Sequence, residues 1–153
     1  MSAEQKLKEL GILLPAETPP AANYANAVRS GNLMFLAGKG PLPENGSLPK
    51  GKLGEGFTVD EGYRFARSAA INLLAVMRAE LGSLDKVARI VEVQGFINAV
   101  PDFEEHAKVL DGCSDLFVAV FQERGVHARS VLGASSLRMG LPVVIKAIIE
   151  VAS

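Results

Sequence analysis

The segment Gly125-Val126-His127-Ala128-Arg129-Ser130-Val131 decides how the chain is read. A helical run from Asp115 to Arg124 stops at Gly125, and a strand-like run extends from Ser130 to Ser136. Arg129 therefore stands where a helix hands over to a strand. At such a junction fixed backbone groups and one side chain can converge on a small ligand. Arginine suits a carboxylate there, because its planar fork donates two parallel hydrogen bonds.

Downstream, Arg138-Met139-Gly140-Leu141-Pro142 reads as a turn into a last strand, Val143 to Val151. Upstream, a second helix opens near Ser114 with apolar positions Leu116, Phe117, Val120 and Phe121. Phe103 to Asp111 shows no clear period. Val87 to Ile97 reads as a strand closed off by Pro101. Thr58-Val59-Asp60-Glu61 is a capping box, and the helix it starts runs to about Leu81 with Gly82 as its stop. Phe65, Ala69, Leu73, Val76 and Met77 recur along it at helical spacing and mark its core face.

Nearer the N-terminus, Tyr24 to Arg29 and Leu33 to Ala37 flank the turn Ser30-Gly31-Asn32, which predicts a β-hairpin. A long loop, Gly38 to Gly56, follows. Its Gly38-Lys39-Gly40 lacks the spacing of a phosphate-binding loop. Pro15 to Pro20 is a linker that can be neither helix nor central strand. Ser2 and Gln5 form a second capping box, predicting a short helix to about Leu10 with Leu7 and Leu10 as docking residues.

The strands are too apolar for a sheet with one wet face. Val143, Val144, Ile145, Ala147, Ile148, Ile149 and Val151 place apolar residues on both faces of the last strand. In Val87 to Ile97 one face carries Val87, Val91, Val93 and Ile97, and the other Ala88, Ile90 and Phe96. Only two substantial helices are available, enough for one face. Another copy of the chain is expected to cover the other face, making an obligate homo-oligomer.

With 153 residues, 48% hydrophobic and 22% charged, the chain suits one domain with a real core, spanning 1–153 with 1–20 as an N-terminal helix and linker. Sixteen basic and 17 acidic residues give a net charge of −1 with no basic stripe, so no nucleic-acid partner is expected. A polar N-terminus and the lack of a long apolar run predict a cytoplasmic protein without a membrane partner. One cysteine and two histidines predict neither a disulfide nor a metal site. Cys113 is expected to be an inert thiol near a helix start, and Asp111 and Ser114 to be helix caps. His127 is expected at the surface or at an interface. Lys39 and Lys146 could place positive charge near a cleft.

The Ser30-Gly31-Asn32-Leu33 hairpin, the capped helix, the strand, the second helix and His127-Ala128-Arg129-Ser130 together resemble the reactive intermediate deaminase (Rid) family, also called YjgF-like or "endoribonuclease L-PSP" proteins. The resemblance covers roughly residues 20 to 152 and is nearest a longer branch, with an N-terminal helix and an insertion at about Glu104 to Leu110. It implies a chorismate-mutase-like α+β fold, a mixed sheet with two main helices on one face, and a homotrimer with clefts between subunits. It also implies cofactor-independent hydrolysis of small imine and enamine carboxylates to 2-oxo acids and ammonia, as in 2-iminobutanoate/2-iminopropanoate deaminases. By the same resemblance Arg129 holds the substrate carboxylate, Tyr24 lines the cleft, Gly38 offers backbone contacts, and Ser114 is a polar neighbour. Lys39 stands where the family usually has glutamine. Active members carry a water-positioning glutamate on the last strand, where this chain has Val144, with Lys146 at the next alternate position. The clamp is kept and the water-handling group is not. This leaves three candidate functions: a weak hydrolase, a non-catalytic binder of small carboxylates, and, less favoured, a ribonuclease. Glu150 could stand in for the lost carboxylate only if it points into the cleft.

Overall fold

The computed structural model describes all 153 residues. Helix α1 (Ala3–Glu9) opens with the expected capping box: Ser2 Oγ accepts from the Gln5 N–H at 3.1 Å, and Gln5 Oε1 accepts from the Ser2 N–H at 2.9 Å. The helix is docked, with Ala3 and Leu7 fully buried, whereas Leu10 is exposed. Its Glu4 carboxylate accepts from Arg78 Nη2 at 2.6 Å and from the Leu84 N–H at 2.7 Å. Burial works against ionised Glu4, yet these partners hold its carboxyl below the usual glutamate range. Leu7→Ala should cost about 2 kcal/mol or more, because a buried leucine leaves a cavity. An unchanged urea midpoint would show that α1 is not part of the cooperative unit.

Strands β1 (Ala27–Ser30) and β2 (Leu33–Lys39) form the hairpin, with Gly31 taking φ +61° in its tight turn. Strand β1 is shorter than the sequence suggested, and Tyr24 lies in the bend before it. Helix α2 (Val59–Leu81) has the boundaries its signals mark: the Thr58 capping box, and Gly82 in the left-handed region at φ +83°. Strands β3 (Val87–Asn98), β4 (Ala128–Ala134) and β5 (Val143–Val151) complete a five-stranded sheet in the order β1-β2-β5-β3-β4. All pairs are antiparallel except β3–β4, whose crossover is made by α3 (His106–Phe121). This is the mixed α+β sheet that the resemblance implies.

Helix α3 starts eight residues earlier than the sequence indicated. Its N-cap, Glu105, makes no side-chain capping bond, so no local signal marks the start. Asp111 and Ser114 therefore lie inside the helix and cap nothing. The α-helix ends at Phe121, and a 3₁₀ turn, Gln122–Gly125, completes the run.

Helices α2 and α3 cover one face of the sheet. Phe65, Leu73, Met77, Val109, Leu110 and Phe117 pack there against Ile90, Val93, Ile97 and alternate residues of β5. In β5 the alternation is regular: Val143, Ile145, Ala147, Ile149 and Val151 are buried, while Val144, Lys146, Ile148 and Glu150 face away. In β3 it is not, because pairing with β5 shifts between Val87 and Arg89 and again between Ile90 and Glu92. An extra residue at a bulge swaps the faces that follow. Ile90 is thus buried and Val91 only half-buried, the reverse of the strict alternation expected. The face away from the helices is bare in one chain, leaving Val28 57%, Phe35 43% and Leu132 58% exposed. No helix is long and apolar enough to cross a membrane.

Candidate functional site

Arg129 is the second residue of β4 and pairs in register with Val93 of β3. Parallel partners point to the same side, and Val93 is buried toward the helices, so Arg129 points to the helix face at the sheet's edge. Helix α3 meets it there. Arg129 Nη1 lies 2.9 Å from Asp111 Oδ1 and donates to Ser114 Oγ at 3.0 Å, and Nη2 donates to the Ala107 carbonyl at 3.3 Å. Ala107, Asp111 and Ser114 follow one another at helical spacing, so one face of α3 grips the guanidinium. Nε donates to nothing within the chain. Nε and the second Nη2 hydrogen thus remain for a ligand carboxylate, while Nη1 and the first Nη2 hydrogen are held by α3.

His127 completes the group. Its Nδ1 lies 2.6 Å from the Gly125 carbonyl, which can only accept, so Nδ1 carries the proton. Nε2 is then a free acceptor, 2.9 Å from Ser114 Oγ, and takes the serine hydroxyl proton. Burial is the main cause that lowers the pKa of His127; Arg129 adds to the effect, and the Gly125 bond opposes it. The ring is neutral at pH 7. In this chain it is half-buried within the arginine's surroundings rather than on the open surface.

The other expected residues gather elsewhere. Tyr24, Gly38 and Val144 line one hollow of about 500 Å³, together with Phe96, Leu141 and Arg138. This hollow opens on the side of the sheet away from the helices, because Val144 and its register partner Phe96 both face outward. Gly38 and Val144 are close neighbours: a Cβ on Gly38 would stand 2.9 Å from Val144 Cγ1. Tyr24 is about half exposed, and its hydroxyl accepts from the Ala21 N–H at 3.3 Å. Arg138 supplies the hollow with a cation that sequence reasoning treated only as a turn residue. A cation in a turn leading into a site strand was the available signal.

Lys39 does not offer its charge to this hollow. It is 8% exposed, and its ammonium donates to Thr18 Oγ1 at 2.9 Å, to Asn26 Oδ1 at 2.9 Å and to the Thr18 carbonyl at 3.3 Å. Its three donors are spent on Thr18 of the Pro-rich linker and on Asn26 just before β1, and burial lowers its pKa. Lys146 is exposed. Glu150 shares the outward face with Val144 but lies six residues away, about 20 Å along the strand, so it does not reach the same chain's hollow beside Gly38. Cys113 is fully buried in the middle of α3, and burial pushes its thiol far up, which makes it inert. No group of three His, Cys, Asp or Glu side chains is arranged to hold a metal ion.

One chain thus carries two partial sites: an arginine clamp at the β4 edge on the helix side, and an apolar hollow with Tyr24, Gly38 and Val144 on the open side. Residues 4–148 match the family described as "YjgF/chorismate_mutase-like, putative endoribonuclease". Protein TCP17 of Trypanosoma cruzi is 41% identical over 145 residues, covering 94% of this chain and 91% of that protein. A solved structure from Agrobacterium tumefaciens, Atu1372, a protein of unknown function, is 38% identical with a TM-score of 0.89, covering 97% of this chain and 92% of that one. Another, from Shewanella oneidensis MR-1, is 28% identical with a TM-score of 0.94, covering 99% and 100% of the two chains. The chain belongs to the YjgF/chorismate-mutase-like family.

Proposed function

We propose that the protein hydrolyses small imine and enamine carboxylates to 2-oxo acids and ammonia, without a cofactor, in clefts completed between the copies of a homotrimer. The observation that carries this reading is the arginine fork, held on one edge by Asp111 and Ser114 and left with donors on the other. A carboxylate bound there is oriented by two N–H groups. An imine is already electrophilic, so orientation and one proton-transfer group give a useful rate. The open face supports the trimer. A second copy against Val28, Phe35 and Leu132 would remove apolar surface from water and could bring one chain's hollow to another's arginine.

A second reading is favoured by Val144, which stands where the resemblance puts the water-positioning glutamate: the clamp would then bind small carboxylates without turning them over. Ribonuclease chemistry gains no support from the two histidines. His106 packs against Gly133 and His127 bonds to Gly125 and Ser114, at opposite ends of β4.

Ammonia release from 2-iminobutanoate separates the readings. The hydrolase reading predicts acceleration by the wild type, and a further rise of about tenfold or more in Val144→Glu, which restores a carboxylate beside Gly38. No acceleration by the wild type, with 2-oxobutanoate binding detected by calorimetry, would establish the binder instead. Light scattering tests the assembly, and a monomer at micromolar concentration would contradict it.

A further inference from the structure

We infer that Ser114 and His127 form the proton relay that serves this site in place of the missing glutamate. The inference rests on the hydrolase reading above. Its basis is a directed chain of hydrogen bonds. The Gly125 carbonyl fixes the proton on His127 Nδ1 at 2.6 Å, His127 Nε2 accepts from Ser114 Oγ–H at 2.9 Å, and Ser114 Oγ accepts from Arg129 Nη1 at 3.0 Å. A serine hydroxyl has one proton and two lone pairs. The proton goes to His127 and one lone pair to Arg129, so one lone pair remains to accept from a water. A base oriented by a third group, with a hydroxyl bonded to its free nitrogen, is the arrangement by which proteins move protons from a hydroxyl at neutral pH.

The step balances. Water attacks the imine carbon of a carboxylate held by Arg129, and the C–O bond forms as the C=N π pair moves to nitrogen. The water's proton passes to Ser114 Oγ while the serine's own proton passes to Nε2, giving an imidazolium, and the same path returns a proton to the nitrogen to give the neutral carbinolamine. The carbinolamine's hydroxyl proton then travels by the same pair to the amine, and the C–N bond breaks as the oxygen's electron pair forms C=O. Ammonia leaves, the 2-oxo acid forms, and His127 is neutral again. The relay needs only the groups already around Arg129.

Arg129 on β4 is the charged group acting on His127, Asp111 of α3 pairs with that arginine, and Glu123 and Arg124 lie in the preceding turn. Arg124 is committed to the Val87 carbonyl, and Cys113 stays protonated. Arg129 and burial both disfavour the imidazolium, which keeps the base available across the neutral range. The rate should therefore fall only on the acid side, at a pH below the usual histidine range.

The test is the pH–rate profile for 2-iminopropionate hydrolysis by wild type, His127→Gln and Ser114→Ala, with competitive inhibition by 2-oxobutanoate measured alongside. The relay predicts that each variant loses roughly 100-fold in kcat. It also predicts that the acid limb disappears, and that in His127→Gln inhibition stays within about threefold of wild type, since Arg129 keeps its bonds to Asp111, Ser114 and Ala107. Wild-type kcat and an intact acid limb in His127→Gln would overturn the relay and leave the hydrolase standing. Loss of inhibition in parallel with rate would show that the pair only props up Arg129, and would overturn it too. No acceleration by the wild type would remove the hydrolase and the relay together.

Discussion

Arg129→Ala lowers affinity for 2-oxobutanoate roughly 10- to 100-fold, the loss expected for a charge-assisted hydrogen bond of about 1.5–3 kcal/mol. The argument is geometric. Asp111 Oδ1 at 2.9 Å and Ser114 Oγ at 3.0 Å hold Nη1, the Ala107 carbonyl takes one Nη2 hydrogen at 3.3 Å, and what remains is Nε with the other Nη2 hydrogen. Alanine removes both ligand donors at once. Arg129→Lys should recover little, because an ammonium is a point charge and cannot present two parallel N–H groups. Protein stability should change little, since the Asp111 carboxylate left behind is about half exposed and can be hydrated. Isothermal titration with 2-oxobutanoate reads the affinity, and equal affinity in wild type and Arg129→Ala would place the carboxylate elsewhere.

Gly112→Ala destabilises the fold by about 3 kcal/mol or more, the upper range for inserting one methyl into a packed interior. A Cβ at residue 112 would stand 2.0 Å from the Tyr63 carbonyl oxygen and 3.1 Å from the Arg67 nitrogen, both backbone atoms of α2. Backbone cannot swing aside as the end of a side chain can, so α2 and α3 must separate. The Tyr63 hydroxyl, which donates to Asp115 Oδ2 at 2.7 Å, ties the same pair of helices. Separation would also move Asp111 and Ser114, on either side of Gly112, away from Arg129. The variant should therefore lose stability in urea and ligand affinity together. Retained stability would show that the two helices pack less closely than described.

Where the chain carries a local device, the sequence shows the element plainly. The Thr58–Glu61 box and Gly82 bound α2, and Ser30-Gly31-Asn32 marks the hairpin, because caps and tight turns are made by side chains within a few residues of each other. The start of α3 has no such device. Glu105 makes no capping bond, Gly112 interrupts the helical preference, and contact with α2 and the sheet decides the conformation. The same missed start turned Asp111 and Ser114 into caps, when they are side chains reaching Arg129 from the helix interior. The β3 faces were misread for a related reason: a bulge is set by pairing with β5 and leaves no mark on the periodicity of β3 itself.

The candidate site is legible in its residue types and only partly in its arrangement. Arg129 stands out in the sequence by its position between helix and strand. Its link to His127 through Ser114 does not, because the serine is 13 residues from the histidine and reaches it only when α3 packs on β4. By the resemblance Lys39 stands at a cleft position that usually carries glutamine, which suggests a positive charge open to a ligand. In the fold its ammonium is enclosed by Thr18 and Asn26. Tyr24, Gly38 and Val144 do converge, but on the face opposite Arg129. A single chain's sequence has no means of expressing a cleft that a second copy would complete.

The most direct measurement is the release of 2-oxo acid from freshly generated 2-iminopropionate, with wild type and Arg129→Ala followed side by side. The account predicts acceleration by the wild type and none above the uncatalysed rate by the variant. Equal rates with both proteins and with buffer alone would contradict it.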